Sequence, residues 1–214
     1  MHIVCLSTGR PQQLRDYHDE PFVSAIRRTP VAETLWLSSS GLAGDQVALT
    51  DVHGGPNRAL HLFCHDNYAF FNYKAGFDLP VPAFGENLTV SGYDEQCANV
   101  GDVLRLGEAL IQVAHPTERC GKIGQSLGLP KMLKWIHEEL YTGFYCRVLQ
   151  EGMVAHDSII SLEEQGPALL NVARLNRLLF KEPDRAALDT VLCEDLLSAE
   201  WKQRAKELYA RADR

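Results

Sequence analysis

Residue patterning changes at Gly166-Pro167, and this change limits the folds that the chain can adopt. In residues 1–165, short apolar segments are separated by turns that contain glycine, a pattern typical of β-strands. Strands and helices do not alternate regularly there, which argues against a doubly wound parallel sheet. We therefore predict a mainly β fold in which residues 1–165 form a closed or nearly closed antiparallel barrel with a few peripheral helices.

Strands are predicted where apolar and β-branched residues cluster or alternate. Residues 103–113 predict a hairpin, because Gly107 separates two apolar runs and glycine supplies the positive φ of a tight turn. Helices are predicted at 67–76, with Gly76 as its end, and at 130–140. The other predicted strands are residues 2–7, 31–37, 58–65, 144–149 and 158–163.

Residues 166–214 have a helical pattern and are predicted to form a separate small domain of three helices. The first helix is predicted over 168–180, and Pro183 begins the second element. Ser198 is a suitable N-cap for the last helix, in which apolar residues recur at helical spacing.

Composition is that of an ordinary soluble globular protein, with 45% hydrophobic and 23% charged residues. No apolar run reaches the roughly 18 residues of a membrane span, and the first residues lack the apolar core of a signal peptide. We therefore expect no membrane partner and a cytoplasmic location.

Charge is unevenly distributed within the formal net charge of −7. Residues 1–165 carry twelve basic and twenty acidic residues, whereas residues 166–214 carry nine and eight. Such an acidic surface would repel a polyanion, so a nucleic-acid partner is not expected. Local groups of cations are therefore informative.

Four glycine-centred turns punctuate the β region: "GLAGD" (41–45), "HGGPNRAL" (53–60), "FGENL" (84–88) and "VGDVL" (100–104). Each can be a tight connection that needs glycine's backbone freedom. In the second turn, the amides of Gly54 and Gly55 can point at an anion, and Arg58 offers a planar fork suited to phosphate. A solvent-facing arginine at the start of a strand explains Arg58 equally well, so both interpretations remain.

The six cysteines contain no CxxC pair and are widely scattered, which indicates reduced thiols. Cys5, Cys64 and Cys146 lie in apolar strand patterns and are predicted to be buried. Cys120 differs, because it lies in "HPTERCGKIG" between Arg119 and Lys122. Nearby cations favour a thiolate, which can act as a nucleophile or as a soft metal ligand. The alternative is an inert buried thiol.

His53, His61, Cys64 and His65 are close enough in the sequence to be candidate zinc ligands. In the predicted strand Cys64 points away from the two neighbouring histidines, and no CxxC pair supports a metal. We therefore expect His61 and His65 to be half-buried barrel residues.

The ordered turns, followed by a late cysteine and a lysine, resemble the MOSC domain, which is also found at the C-terminus of molybdenum-cofactor sulfurases. With its helical tail the chain is most similar to the YiiM-like branch of that family. The resemblance implies a β-barrel that holds a molybdopterin-type molybdenum cofactor, with the Cys120 thiolate as ligand to molybdenum. The cofactor-binding residues so expected are His53, Gly54, Gly55, Asn57, Arg58, Asn87, Arg119 and Lys122.

Two positions near Cys120 depart from the family pattern. The family usually has an arginine three residues before the cysteine and a proline directly before it, where this chain has Thr117 and Arg119. The position before Arg58, commonly aspartate, is Asn57.

The resemblance implies that the protein reduces N-hydroxylated compounds, including hydroxylamino purines, to amines. The sequence contains no G-x-G-x-x-G dinucleotide fingerprint, so an external reductase would supply electrons. The helical tail is a candidate surface for docking that reductase. The alternative is a non-catalytic protein that carries the cofactor or a Cys120 persulfide sulfur.

Overall fold

The structure is a computed structural model that describes residues 1–182 and 184–212. Pro183, predicted to begin the second tail helix, lies outside the described residues. The strands are β1 (His2–Thr8), β2 (Gln12–Arg15), β3 (Pro21–Ser24), β4 (Thr29–Pro30), β5 (Leu35–Ser38), β6 (Gly41–Leu42), β7 (Leu60–Cys64), β8 (Leu88–Ser91), β9 (Val103–Leu106), β10 (Ala109–Pro116), β11 (Phe144–Gln150), β12 (Gly152–Val154) and β13 (Ile160–Glu164). The α-helices are α1 (Thr50–His53), α2 (Tyr68–Ala75), α3 (Lys122–Leu127), α4 (Met132–Glu139), α5 (Val172–Phe180), α6 (Arg185–Leu192) and α7 (Ala199–Ala212).

Eight strands form one curled sheet, a half-barrel, in the order β13-β9-β10-β11-β7-β8-β1-β4. The predicted mainly β, barrel-type fold with peripheral helices is therefore confirmed. One pair departs from the predicted antiparallel order, because β7 and β8 run parallel. The crossover between them contains α2, as parallel neighbours require a long connection.

The predicted hairpin is formed by β9 and β10. Its Gly107 has φ 58°, and a Cβ there would lie 2.7 Å from the carbonyl oxygen of Met153. Both the backbone angle and the close neighbour therefore require glycine. The strand predicted at 58–65 begins only at Leu60, because Pro56–Arg58 forms a 3-10 turn that proline's fixed φ favours.

Strand β7 separates two hydrophobic clusters. Leu60 and Leu62 belong to the larger cluster inside the half-barrel. Phe63 points the other way, into a cluster with Phe71 and Phe84, and its ring stacks on that of Phe84 at 4.1 Å between centroids. The predicted alternation is therefore present, but both faces of the strand are buried.

The three C-terminal helices pack on the half-barrel. Leu175, Val191 and Trp201 belong to the same buried cluster as the sheet residues Leu104 and Ile111. The predicted cap of the last helix is present, since the Trp201 N–H donates to Ser198 Oγ at 3.2 Å. None of the helices in the described ranges has the length and apolar character needed to cross a bilayer.

His115, near the end of β10, is a buried histidine with one unpartnered nitrogen. Its Nδ1–H donates to the carbonyl oxygen of Pro116 at 2.9 Å, and its Nε2 has no hydrogen-bond partner. Burial lowers the pKa of His115 to about 4, against the opposing bond to Pro116 and with the help of the nearby Arg58 charge.

Stability should fall in mild acid because of this histidine. The unfolded chain binds the His115 proton near its ordinary pKa, whereas the folded protein resists it down to about 4. Stability that depends on a neutral His115 is therefore fully present above the ordinary pKa of histidine, and it is lost as the pH falls toward 4. We expect a loss of about 3 kcal/mol in the free energy of unfolding.

Urea unfolding of wild type and His115→Leu across this pH range measures the effect. The variant should show a shallower decline, because it has no proton to bind at that position. Equal slopes in the two proteins would contradict the assignment to His115.

Candidate functional site

A cavity of about 570 Å³ is lined by the segments after β3, β6 and β10 and before β7 and β8. Loops from the eight-stranded sheet and from the two smaller sheets, β12-β5-β6 and β2-β3, thus converge on it. Most residues expected in the site line this cavity: His53, Gly54, Gly55, Arg58, Asn87, Arg119, Cys120 and Lys122.

Asn57 is the expected site residue that does not line the cavity. Its side-chain Nδ2 instead donates to the Glu200 carboxylate of α7, at 3.1 and 3.4 Å from the two oxygens. The side chain therefore forms a contact between residues 54–58, which we call the glycine loop, and the C-terminal helices.

The glycine loop follows α1 and lines one side of the cavity. A Cβ on Gly54 would lie 2.6 Å from the carbonyl oxygen of Thr50, so the end of α1 requires glycine. Gly55 has φ 101°, and the space around its missing Cβ is open. The backbone at Gly55 can therefore approach a ligand closely.

Cys120 is exposed and lines the cavity, whereas Cys5, Cys64 and Cys146 are buried as predicted. Burial raises the pKa of both Cys5 and Cys64 to about 11, so these two remain protonated thiols at neutral pH. Cys97 and Cys193 are exposed but do not line the cavity.

The side chain of Arg119 turns inward and binds three acceptors. Its guanidinium donates to the carbonyl oxygens of Thr142 at 2.7 Å and Phe84 at 2.6 Å, and to His61 Nε2 at 2.8 Å. It also lies over the Phe63 ring, 5.5 Å from the centroid. The Arg119 guanidinium, expected beside the Cys120 thiol, therefore joins the segments that contain its three acceptors.

His61 must be the acceptor in this bond, because arginine has only donors. Its imidazole is neutral, since burial and then the Arg119 charge lower its pKa well below the ordinary value. Expected to be half-buried, His61 is in fact fully buried at 3% exposure, because neighbouring strands and Arg119 cover it.

Arg28 is a cavity residue that was not among the residues expected from the sequence. It forms an ion pair with Asp45, and its Nε donates to the Gly85 carbonyl oxygen at 2.8 Å. Asp45 in turn accepts a hydrogen bond from Asn87 Nδ2 at 2.9 Å, and Asn87 Oδ1 accepts one from the backbone N–H of His61 at 3.1 Å. Asn87 thus links Asp45 to β7. No local sequence pattern marks Arg28, because its partners Asp45 and Gly85 lie 17 and 57 residues away in the chain.

The lining is positively charged, although the whole chain carries −7. Its cations are Arg28, Arg58, Arg119 and Lys122, and its carboxylates are Asp45 and Glu118. Both carboxylates are paired, Asp45 with Arg28 and Glu118 with Arg204 of α7.

Arg58 and Lys122 are the least committed of these cations. Arg58 Nη1 lies 3.5 Å from the Gly54 carbonyl oxygen, and Lys122 Nζ lies 3.4 Å from that of Val23. Within the described residues, neither has a carboxylate within ion-pair distance. Two such cations beside the Gly55 backbone are suited to a phosphate-bearing ligand.

Two further polar groups face this cavity. Thr117 Oγ1 is buried without a hydrogen-bond partner, which is unusual unless a ligand or water satisfies it. Burial, together with the charges of Arg58, Lys122 and Arg119, lowers the pKa of His53, so its imidazole is neutral at neutral pH. In the described part of the chain, no three His, Cys, Asp or Glu side chains are grouped to hold a metal ion.

Fold and site together define a half-barrel protein with a positively charged cavity and an exposed cysteine in its lining. The family model for the MOSC domain matches residues 50–161, which include that cysteine and the glycine loop. The chain belongs to the MOSC domain family.

Relatives support this membership over most of the chain. The uncharacterized protein YflK of Bacillus subtilis is 33% identical over 201 residues, 94% of this chain and 90% of YflK. The crystal structure of YiiM from Geobacillus stearothermophilus matches with a TM-score of 0.81 at 27% identity, covering 97% of this chain and 98% of that one. A protein of Gibberella moniliformis named "Reductase" is 30% identical over 161 residues, 72% of this chain but 28% of its own length.

Replacing Arg119 should destabilise the fold. Lysine cannot span the three acceptors, so Arg119→Lys leaves buried oxygens or His61 Nε2 without a donor. We expect a loss of about 3 kcal/mol in the free energy of unfolding. Lys122→Met is the matched control, because its single weak bond at the cavity edge should contribute less than about 0.5 kcal/mol. Similar losses in both variants would contradict this role.

Proposed function

We propose that the cavity binds a molybdopterin-type molybdenum cofactor and that the protein reduces N-hydroxylated compounds, such as hydroxylamino purines, to amines. The observation that carries this proposal is the exposed Cys120 thiol on a cavity whose cations Arg58 and Lys122 form no ion pair within the described residues. Family membership and the relatives named YiiM and "Reductase" agree with it.

The residues of the cavity fit such a cofactor. Cys120 would supply a thiolate to molybdenum, since soft sulfur ligands suit such metals. Arg58, Lys122 and the backbone at Gly55 would bind the phosphate. The buried Thr117 hydroxyl would gain the partner that it lacks.

When bound, the cofactor supplies two-electron oxygen removal, in which R–NHOH, two electrons and two protons give R–NH₂ and water. The chain itself would bind and orient the substrate. Neutral His53 offers one donor and one acceptor nitrogen to a substrate in the cavity. Electrons would come from an external reductase.

A carrier function is the second candidate. Cys120 is exposed rather than enclosed, which a protein that passes a cofactor or a persulfide sulfur to a partner would need. In that case the protein would bind cofactor or sulfur without reducing a substrate.

Loss of the Cys120 thiol should abolish activity. Protein made in cells that produce molybdenum cofactor is assayed for bound metal and for reduction of an N-hydroxylated purine with an artificial electron donor. We expect Cys120→Ser to lower turnover more than about 100-fold, because even outer-shell changes at metal sites cost about 10- to 100-fold. The metal's absorption spectrum should also change.

Cys97→Ser is the matched control, since Cys97 is also exposed but lies outside the cavity. Metal in the wild type with equal turnover in wild type and Cys120→Ser would sink the reductase proposal. Metal or sulfur binding without turnover in any variant would favour the carrier.

Cofactor retention should depend on Arg58. Removing a charged donor to phosphate should weaken binding about 10-fold or more, so Arg58→Ala should lose molybdenum during dialysis. Arg10→Ala is the control, because Arg10 is exposed outside the cavity lining. Equal retention by the two variants would remove Arg58 from the proposed phosphate site.

A further inference from the structure

The loop that carries Cys120 is held from two opposite sides. Arg119 anchors it to the interior through its three acceptors. Glu118 points outward and forms a two-pronged ion pair with Arg204 of α7, with Nε to Oε2 at 2.8 Å and Nη2 to Oε1 at 2.5 Å. The external anchor lies two residues from the thiol, although its partner is 86 residues away in the sequence.

The same face of α7 holds the second loop of the cavity. Glu200 lies one helical turn before Arg204, so both side chains project from one side of the helix. Glu200 accepts from the Asn57 amide, next to Arg58 in the glycine loop. Burial disfavours the Glu200 charge, but its own backbone N–H, Asn57 and Arg58 together lower its pKa and keep it ionised.

Helix α7 is itself rigidly placed. Trp201 and Ala205, each one residue after the contact residues, are buried in the shared core at 5% and 0% exposure. Ser198 caps the first turn. Because α7 is held in place by these contacts, its bonds to Glu118 and Asn57 can fix the positions of the Cys120 loop and the glycine loop.

We propose that Arg204, through Glu118, and Glu200, through Asn57, are positioning residues for the two loops that form the cavity. The C-terminal helices would then complete the functional site rather than serve only to dock a partner. This inference deepens the proposed function, because it assumes that Cys120 and the glycine loop act together. The positions of the loops can nevertheless be measured without any cofactor.

The ion pair should act locally. The Arg204 and Glu118 side chains retain 33% and 45% exposure, and exposed pairs contribute little to global stability. Breaking the pair should therefore release the loop without unfolding the protein. Hydrogen exchange resolves such local opening segment by segment.

The test is amide hydrogen exchange of the full chain, purified without cofactor, with peptides covering residues 117–123 and 199–212. We expect Glu118→Gln and Arg204→Ala each to speed exchange in residues 117–123 about threefold or more. The charge-swapped double variant, Glu118→Arg with Arg204→Glu, should return the rate toward wild type. Lys206→Ala is the matched control, exposed on the same helix, and should leave the loop unchanged.

Unchanged loop exchange in Glu118→Gln, or no recovery in the swapped variant, overturns the inference. If Arg204→Ala speeds exchange throughout α7, the helix has been disturbed, and Glu118→Gln, which leaves α7 intact, decides the question. If the variants release the loop but the wild-type protein binds no molybdenum, the positioning role stands and only the proposed function is contradicted. If the wild-type protein binds molybdenum but the variants leave exchange in residues 117–123 unchanged, the proposed function stands and the positioning role is contradicted.

Discussion

The three hydrogen bonds of Arg119 are the interaction on which the site depends. They join β7 through His61, the turn before β8 through Phe84 and the turn before β11 through Thr142. The bond to His61 requires a neutral imidazole, which burial and the arginine charge together maintain. Because Cys120 follows directly in the chain, the position of the thiol is set by the arginine beneath it.

The C-terminal helices reach the same anchor from another direction. Asn176 of α5 is fully buried, and its Nδ2 donates to Thr142 Oγ1 at 2.9 Å, within the turn that binds Arg119. Helix α7 adds the pair of Arg204 with Glu118 on the outside. The C-terminal helices thus support the site loops by two contacts, a buried one from α5 to Thr142 and a partly exposed one from α7 to Glu118.

Cations in the cavity have different roles, although their residue types are similar. Arg28 is neutralised by Asp45, and Arg119 is bound to neutral acceptors, so both hold structure together. Arg58 and Lys122 each make a long bond to a carbonyl oxygen, and Arg58 also lies 6.0 Å from the centroid of the Tyr145 ring. Neither forms an ion pair within the described residues, so their charges remain available to an anion. An acidic protein thereby gains a local positive site, and the difference arises from which acceptors each side chain can reach.

Sequence alone determined features that depend on neighbours in the chain: the Gly107 hairpin, the Ser198 cap and the distinction between the buried cysteines and Cys120. These follow from backbone conformation and local polarity, which act over a few residues. Tertiary structure alone decided that Arg119 turns inward, that Asn57 faces α7 rather than the cavity, and that β7 pairs in parallel with β8. Each of these is fixed by contacts with residues distant in the chain, and such contacts exist only after the sheet and helices have packed.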